Sequence, residues 1–260
     1  MRSPAALLAA AAVLAFPARL GADSRTDKPW CGPDVTELSD HVCFFDGTPA
    51  GRERRTLVIY LHGMLATNPG FQYVQQRALA RDAREFGFTV LFPTSPLVKD
   101  GYFWPTSQAA QNEQEAGILA GIEQARTALA ERLGHRFDET FVVGFSSGAY
   151  YGSSLAVRSA LDVDGYIVLA GGASWVRPDP KAENARPAPV FVGVSAADKQ
   201  TAGHSRAFAS TLAALRWPYR VEERDVGHEV DEVFLAHGLA WLHAQKTRSV
   251  AEPTTSPTHR

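Results

Sequence analysis

Thr140-Phe141-Val142-Val143-Gly144-Phe145-Ser146-Ser147-Gly148-Ala149 runs from a β-branched, apolar segment into small residues, and a helix-like stretch follows to Leu161. Such a passage reads as a buried strand turning sharply into a helix, with a serine at the bend. A sharp turn pushes its central residue into strained dihedrals, and only small neighbours let the backbone close beneath it, which Gly144, Gly148 and Ala149 supply. The serine hydroxyl is then lifted clear of the sheet, making Ser146 a candidate nucleophile. The G-x-S-x-G spacing is weak by itself, because glycine and serine are common; the strand before it and the helix after it give it meaning.

Outward from this point, strand-like and helix-like runs alternate. Residues 55–61, 88–92, 140–144, 165–169 and 190–194 are continuous apolar runs, as expected of strands buried on both faces. Tyr219 to Val226 alternates instead, which predicts an edge strand. Between them, residues 71–86, 108–133, 148–161, 203–215 and 229–245 have the length and period of crossover helices. Val42 to Phe45 adds a candidate antiparallel strand at the front. The alternation predicts an α/β fold, a mostly parallel sheet with helices on both faces. Prolines at 178, 180, 187 and 189 break the connection from Gly171 to Pro189, so no large cap domain is expected over the site.

At the N-terminus, Met1-Arg2 precedes an alanine-rich apolar run, Ala5 to Phe16, followed by Pro17 and the small residues Gly21 and Ala22. This pattern predicts a signal peptide over residues 1–22, one globular domain over 23–245 and a flexible tail over 246–260, the tail being polar and proline-containing. The expected location is secreted or periplasmic. No later apolar run approaches the ~20 residues of a spanning helix. Cys31 and Cys43 are the only cysteines, and an oxidising compartment predicts that they pair. With 26 Lys and Arg against 28 Asp and Glu, and Glu53 interrupting the densest basic cluster (Arg52 to Arg55), a nucleic-acid partner is not expected. No metal or cofactor is implied, since neither H-E-x-x-H spacing nor a glycine-rich phosphate loop with Lys-Ser/Thr occurs.

The elbow at Gly144 to Gly148, a His62-Gly63 turn after an early strand, and Asp198 and His228 in that order after later strands together resemble the α/β-hydrolase superfamily, over about residues 40 to 245. The resemblance implies Asp198 as the acid and His228 as the base of a triad with Ser146. It also implies two backbone oxyanion donors, Ser147 and Met64, with Leu65 an alternative to Met64 because the chain reads His-Gly-Met-Leu. Such roles make chemical sense: a serine hydroxyl needs a neighbouring imidazole to take its proton, and the imidazole needs a carboxylate to fix its tautomer. Asp198 could equally cap the helix that begins nearby, and Asp225 competes as the acid.

A serine nucleophile implies acyl transfer to water. The expected activity is a secreted serine ester hydrolase, similar to polyhydroxybutyrate-depolymerase and feruloyl-esterase-like carboxylesterases, acting on a small ester or a polyester. A serine peptidase or a non-catalytic binding module on the same fold are the alternatives. Tyr102, Trp104, Tyr150 and Trp175 are candidate substrate-lining residues, although these rings could equally pack their own loops.

Overall fold

The computed structural model describes residues 29–52, 54–66, 70–172 and 187–251. Its strands are β1 (Thr36–Ser39), β2 (Val42–Asp46), β3 (Thr56–Leu61), β4 (Leu65–Ala66), β5 (Thr89–Phe92), β6 (Leu97–Val98), β7 (Gly101–Tyr102), β8 (Glu139–Phe145), β9 (Gly165–Leu169), β10 (Val190–Ser195) and β11 (Tyr219–Arg224). Its helices are α1 (Phe71–Phe86), α2 (Gln108–Leu133), α3 (Ser147–Arg158), α4 (Ala202–Ala214) and α5 (Glu232–Ala251). An eight-stranded sheet runs β1-β2-β5-β3-β8-β9-β10-β11. β1 pairs antiparallel with β2 and β2 pairs antiparallel with β5, and every other pairing in this sheet is parallel.

Successive side chains of a strand point to opposite faces, and the core follows that rule. On β3, Leu57, Ile59 and Leu61 face a layer built with Ile122 and Leu129 of α2, Leu155 of α3 and Phe208 and Leu212 of α4. Val58 and Tyr60 face the opposite layer, with Leu79 and Ala83 of α1 and Phe234, Leu239 and Leu242 of α5. Each fully buried Phe or Leu contributes about 1.5 to 3 kcal/mol of transfer free energy, so the two layers clamp the sheet from both sides. β3, β5, β8, β9 and β10 are buried along their whole length, whereas β11, which pairs only with β10, is largely exposed. The continuous apolar runs and the one alternating run thus sit where their patterns predicted.

Differences fall where a segment is too short to carry a period. The aromatic loop after β5 contains β6 and β7, which join β4 in a three-stranded antiparallel sheet; two-residue strands leave no pattern to read. β1 was not expected either. α5 begins at Glu232 rather than 229 and continues to Ala251, so the first residues assigned to the tail, 246–251, are helical. The signal segment 1–22, the rest of the tail from 252 and most of the connection expected to be too broken for a cap lie outside the described residues. Among the described residues, no helix is long and apolar enough to cross a membrane.

Cys31 and Cys43 form a disulfide, tying the first described residues to β2. A loop of this size contributes on the order of 2 to 3 kcal/mol by restricting the unfolded chain.

Candidate active site

Ser146 links the end of β8 to the first residue of α3, with φ 52° and ψ −116°. A side chain at this φ costs about 1 to 3 kcal/mol, tolerated only where the surroundings enforce it. Three glycines show how they do so. A Cβ on Gly148 would lie 1.9 Å from the Leu61 carbonyl oxygen, and one on Gly144 would lie 2.4 Å from the Gly148 oxygen. At Gly171 it would stand 2.9 Å from Ala149 Cβ and 3.1 Å from the Ser146 oxygen. Backbone bonds then lock the turn: Ser146 N–H donates to Leu169 O at 3.1 Å, and Gly148 N–H donates to His62 O at 3.1 Å.

His228 follows β11, and its ring connects the two other residues. Its Nδ1 lies 2.6 Å from Asp198 Oδ2 and its Nε2 lies 3.0 Å from Ser146 Oγ. A carboxylate only accepts, so Nδ1 carries the proton and Nε2 presents its lone pair to the serine hydroxyl, which donates. The ring rests against Phe145, with centroids 4.9 Å apart, and its side chain is 44% exposed, so the reacting edge is open to solvent.

Asp198 follows β10 and is buried. Besides His228 it accepts from Thr201 Oγ1 through Oδ2 and from Gln200 N–H through Oδ1 at 3.0 Å, while its carbonyl accepts from Ala202 N–H at 3.0 Å. Burial pushes its carboxyl pKa up, but the hydrogen bonds from Thr201 and His228 outweigh this and hold it below the ordinary carboxylate range. The Asp198 side chain bonds no amide of α4; only its backbone carbonyl meets the helix start, and the carboxylate faces His228, Thr201 and Gln200. Asp225, the competing acid, is exposed and makes no hydrogen bond to His228. Thr201 is the partner the sequence did not single out; the Asp-x-x-Thr spacing at a helix start was its signal.

The His62-Gly63 turn lies against the serine: a Cβ on Gly63 would be 3.4 Å from Ser146 Cβ. His62 is 6% exposed, donates from Nδ1 to Gly63 O at 2.6 Å, and accepts at Nε2 from Ser95 N–H at 3.2 Å. Burial lowers its pKa to about 4, against a weaker raising effect of the Gly63 carbonyl, so it is neutral in a single tautomer at ordinary pH. Next in the chain, Met64 is 63% exposed, whereas Leu65 is buried and belongs to β4. Ser147 opens α3, a position whose amide has no partner within the helix.

Of the aromatic residues expected to line the substrate, Trp104 is corrected by its burial. It is 2% exposed, its indole N–H donates to His62 O at 2.9 Å, and its ring stacks on Tyr151 at 5.6 Å. Trp104 therefore packs against the turn, its ring enclosed by His62 and Tyr151, and does not line an open cleft; an aromatic run is equally compatible with either role until its neighbours are known. Tyr102 is half-buried against Trp30, with centroids 4.7 Å apart. Tyr150 lies on α3 one turn from Ser146, and its hydroxyl is 2.5 Å from His204 Nδ1. Trp175 lies outside the described residues. Among the described residues, no group of three or more His, Cys, Asp or Glu side chains converges as a metal site would require.

Sheet order, crossover helices and a serine elbow at the strand ends define the α/β-hydrolase fold, and solved structures agree. The chain is similar to a carboxylesterase from Mesorhizobium loti, at 19% identity, over 78% of this chain and 93% of that one, with a TM-score of 0.55. It is similar also to the Bacillus cereus carboxylesterase, at 15% identity over 78% and 93% of the two chains with a TM-score of 0.52. YahD, solved with malic acid, matches at 15% identity over 78% and 98% with a TM-score of 0.56. By sequence no family model matches the chain, and no curated protein does either.

Proposed function

We propose that this protein is a serine ester hydrolase working through an acyl-enzyme on Ser146. The observation that carries the reading is the His228 ring, hydrogen-bonded at one nitrogen to Ser146 Oγ and at the other to buried Asp198, beneath a serine held at positive φ. In this reading His228 Nε2 takes the hydroxyl proton as Ser146 Oγ bonds to the ester carbonyl carbon, and the same proton leaves on the departing alcohol. Water, deprotonated by His228, then attacks the acyl-enzyme, and the acid departs as Ser146 regains its proton. Asp198 holds the tautomer and stabilises the imidazolium formed in both steps.

The amides of Ser147 and Met64 are proposed to hold the oxyanion of each tetrahedral intermediate, normally the largest electrostatic contribution to such chemistry. Met64 is preferred to Leu65 because Leu65 is turned into the core and committed to β4. An exposed methionine at the mouth suits esters with apolar acyl groups, including aryl esters and polyesters. Two of the similar solved structures are carboxylesterases, which favours esters over peptides. The Cys31–Cys43 disulfide suits an oxidising, secreted or periplasmic location.

The reading is tested by hydrolysis of p-nitrophenyl acetate and butyrate and by fluorophosphonate labelling. Ser146→Ala is expected to lose turnover by roughly three orders of magnitude or more and to lose the label, with its circular dichroism unchanged. Undiminished turnover in that variant would refute the assignment. A panel of feruloyl esters, polyester film and peptides then ranks the substrate classes.

A further inference from the structure

Against His62 of the His62-Gly63 turn lies the segment closed by the disulfide. Residues 29–34 are stapled to one face of α1: Tyr73 Oη donates to Pro29 O, Gln76 Nε2 donates to Trp30 O at 3.3 Å, Gly32 N–H donates to Gln76 Oε1 at 2.7 Å, and Arg77 pairs with Asp34 at 2.8 Å. Cys43, the disulfide partner, is fully buried in β2 opposite Phe92, so this anchor reaches into the main sheet. What the anchor holds in place is Trp30. Its ring meets His62 edge-on at 6.0 Å and packs on Tyr102 at 4.7 Å. Trp104 holds His62 as well, at 5.2 Å. His62 is thus a buried imidazole walled by two tryptophans, one from the loop after β7 and one from the disulfide segment.

The position of this ring has a direct geometric consequence. Peptide bonds are planar and trans, so the N–H of Met64 points opposite to the carbonyl of Gly63. Whatever fixes the Gly63 carbonyl fixes the direction of the Met64 amide. The only side chain bonded to that carbonyl among the described residues is His62, through Nδ1, and Ser95 N–H holds the ring's other end. Without Trp30, water would reach the ring and the Gly63 carbonyl and would compete for this bond, freeing the peptide to rotate.

We propose that Trp30, clamped by the Cys31–Cys43 disulfide and Gln76, is a positioning residue that aims the Met64 amide at the oxyanion by holding the His62 ring against the Gly63 carbonyl. The proposal rests on the reading of Ser146 as nucleophile and Met64 as oxyanion donor. It gives the disulfide a role in the reaction rate beyond stability: the cross-link holds one wall of the oxyanion turn.

Losing an oxyanion donor outright costs about 10²- to 10³-fold in kcat, so loosening one is expected to cost about tenfold or more. Because the donor acts on the transition state rather than on bound substrate, the loss falls on kcat. Steady-state hydrolysis of p-nitrophenyl acetate is measured for wild type, Trp30→Ala, Trp30→Phe, the Cys31→Ser/Cys43→Ser double variant and its combination with Trp30→Ala. Inhibition by an aryl trifluoromethyl ketone, whose adduct carries an oxyanion, is measured alongside.

Trp30→Ala is expected to lower kcat about tenfold or more with KM within about twofold, and to weaken the ketone in step with kcat/KM. Trp30→Phe should recover most of the loss. The double cysteine variant should lose kcat in the same direction, and adding Trp30→Ala to it should cost little more, as for groups acting through one contact. Wild-type kcat in Trp30→Ala, a loss confined to KM, or no recovery by Trp30→Phe would each overturn the proposal. Should Trp30→Ala not fold, Trp30→Leu against Trp30→Phe carries the same comparison. A wild type that turns over no ester, or Ser146→Ala with undiminished turnover, refutes the reading of the site and this inference with it. An active, Ser146-dependent wild type with an indifferent Trp30 refutes this inference alone.

Discussion

In the proposed reaction, the chemistry of Ser146 and His228 depends most directly on Asp198, because its carboxylate, 2.6 Å from His228 Nδ1, decides which nitrogen of the ring carries the proton. Asn at this position keeps the shape but offers an N–H as readily as a carbonyl, so the ring can settle in the tautomer whose Nε2 is already protonated. Asp198→Asn is expected to lower kcat by roughly 10³- to 10⁴-fold at neutral pH while the fold persists, read by ester hydrolysis and near-UV circular dichroism. The carboxyl is held below its ordinary range by Thr201 and His228 against the opposing effect of burial, so its ionised form stabilises the fold. That contribution is fully present above the unfolded pKa of about 3.9 and is lost as pH falls through the lower folded value. A Thr201→Val variant, lacking one of those bonds, should lose activity and stability at a higher pH on the acid side than wild type, read from parallel acid titrations. Of the candidate site, Ser146 was legible from the apolar run of β8 and the small residues after it, whereas Asp198 and His228 were assigned from their order after later strands, as the resemblance implies, and the structure brings the three together. Trp104 was not, since an indole beside a site is equally suited to bind substrate or to fill the space under a turn, and only its bond to His62 O separates the two.

The β8-Ser146-α3 elbow behaves as one element, and its glycines show why sequence alone could place it. Where the start of a helix passes hard against the end of a strand, no side chain fits, and Gly148, in the first turn of α3, is such a position: its added Cβ would lie 1.9 Å from the Leu61 oxygen at the end of β3, a backbone atom that cannot swing aside. Gly148→Ala is therefore expected to destabilise by about 3 kcal/mol, the upper end of overpacking, and to cut ester hydrolysis by displacing Ser147. Gly117, within α2, is the contrasting case, because a Cβ there meets nothing within 4 Å. Gly117→Ala should raise stability by about 0.5 to 1 kcal/mol through the lower entropy of the unfolded chain, with kcat unchanged. Urea unfolding midpoints of the two variants, shifted in opposite directions, check both. The same reasoning explains what stayed hidden at this scale. β4, β6 and β7 are two residues long, too short for a side-chain period, and their pairing depends on the loop being folded back by contacts such as Phe103 N–H to Pro96 O at 3.1 Å.

Across the whole molecule, the sheet presents its strand C-termini to Ser146, Asp198 and His228 and its opposite ends to a buried polar cluster. The alternation of apolar runs with helical ones revealed a sheet covered on both faces, because burial on both faces makes most of a strand's side chains apolar. It did not reveal this cluster, whose members are ordinary polar and charged residues from three distant stretches of the chain, Arg54 and Thr56, Glu139, and His243. Glu139, at the start of β8, is 2% exposed and accepts from Thr56 Oγ1 of β3 at 2.6 Å, while His243 Nδ1 of α5 lies 2.7 Å from the same carboxylate oxygen and Arg54 Nη1 lies 3.9 Å from the other. Early, middle and late parts of the chain thus meet on one carboxylate. Burial raises its pKa, but His243 and Thr56 outweigh that and leave it below the ordinary range. Its ionised form stabilises the fold at every pH above the unfolded pKa of about 4.3, and this stabilisation disappears as pH falls through the folded value. Glu139→Gln keeps the shape and the bond from Thr56 but removes the charge facing His243 and Arg54, so it should cost about 1 to 3 kcal/mol at pH 7. The loss should shrink as pH falls below about 4, because wild type surrenders the same interaction there. kcat should not change, since the cluster lies at the end of the strands away from Ser146. Denaturant unfolding of both proteins from pH 3 to pH 7 would test this. Parallel stability curves would mean that Glu139 does not titrate in the way its contacts require, and a fall in kcat would mean that the two ends of the sheet are coupled.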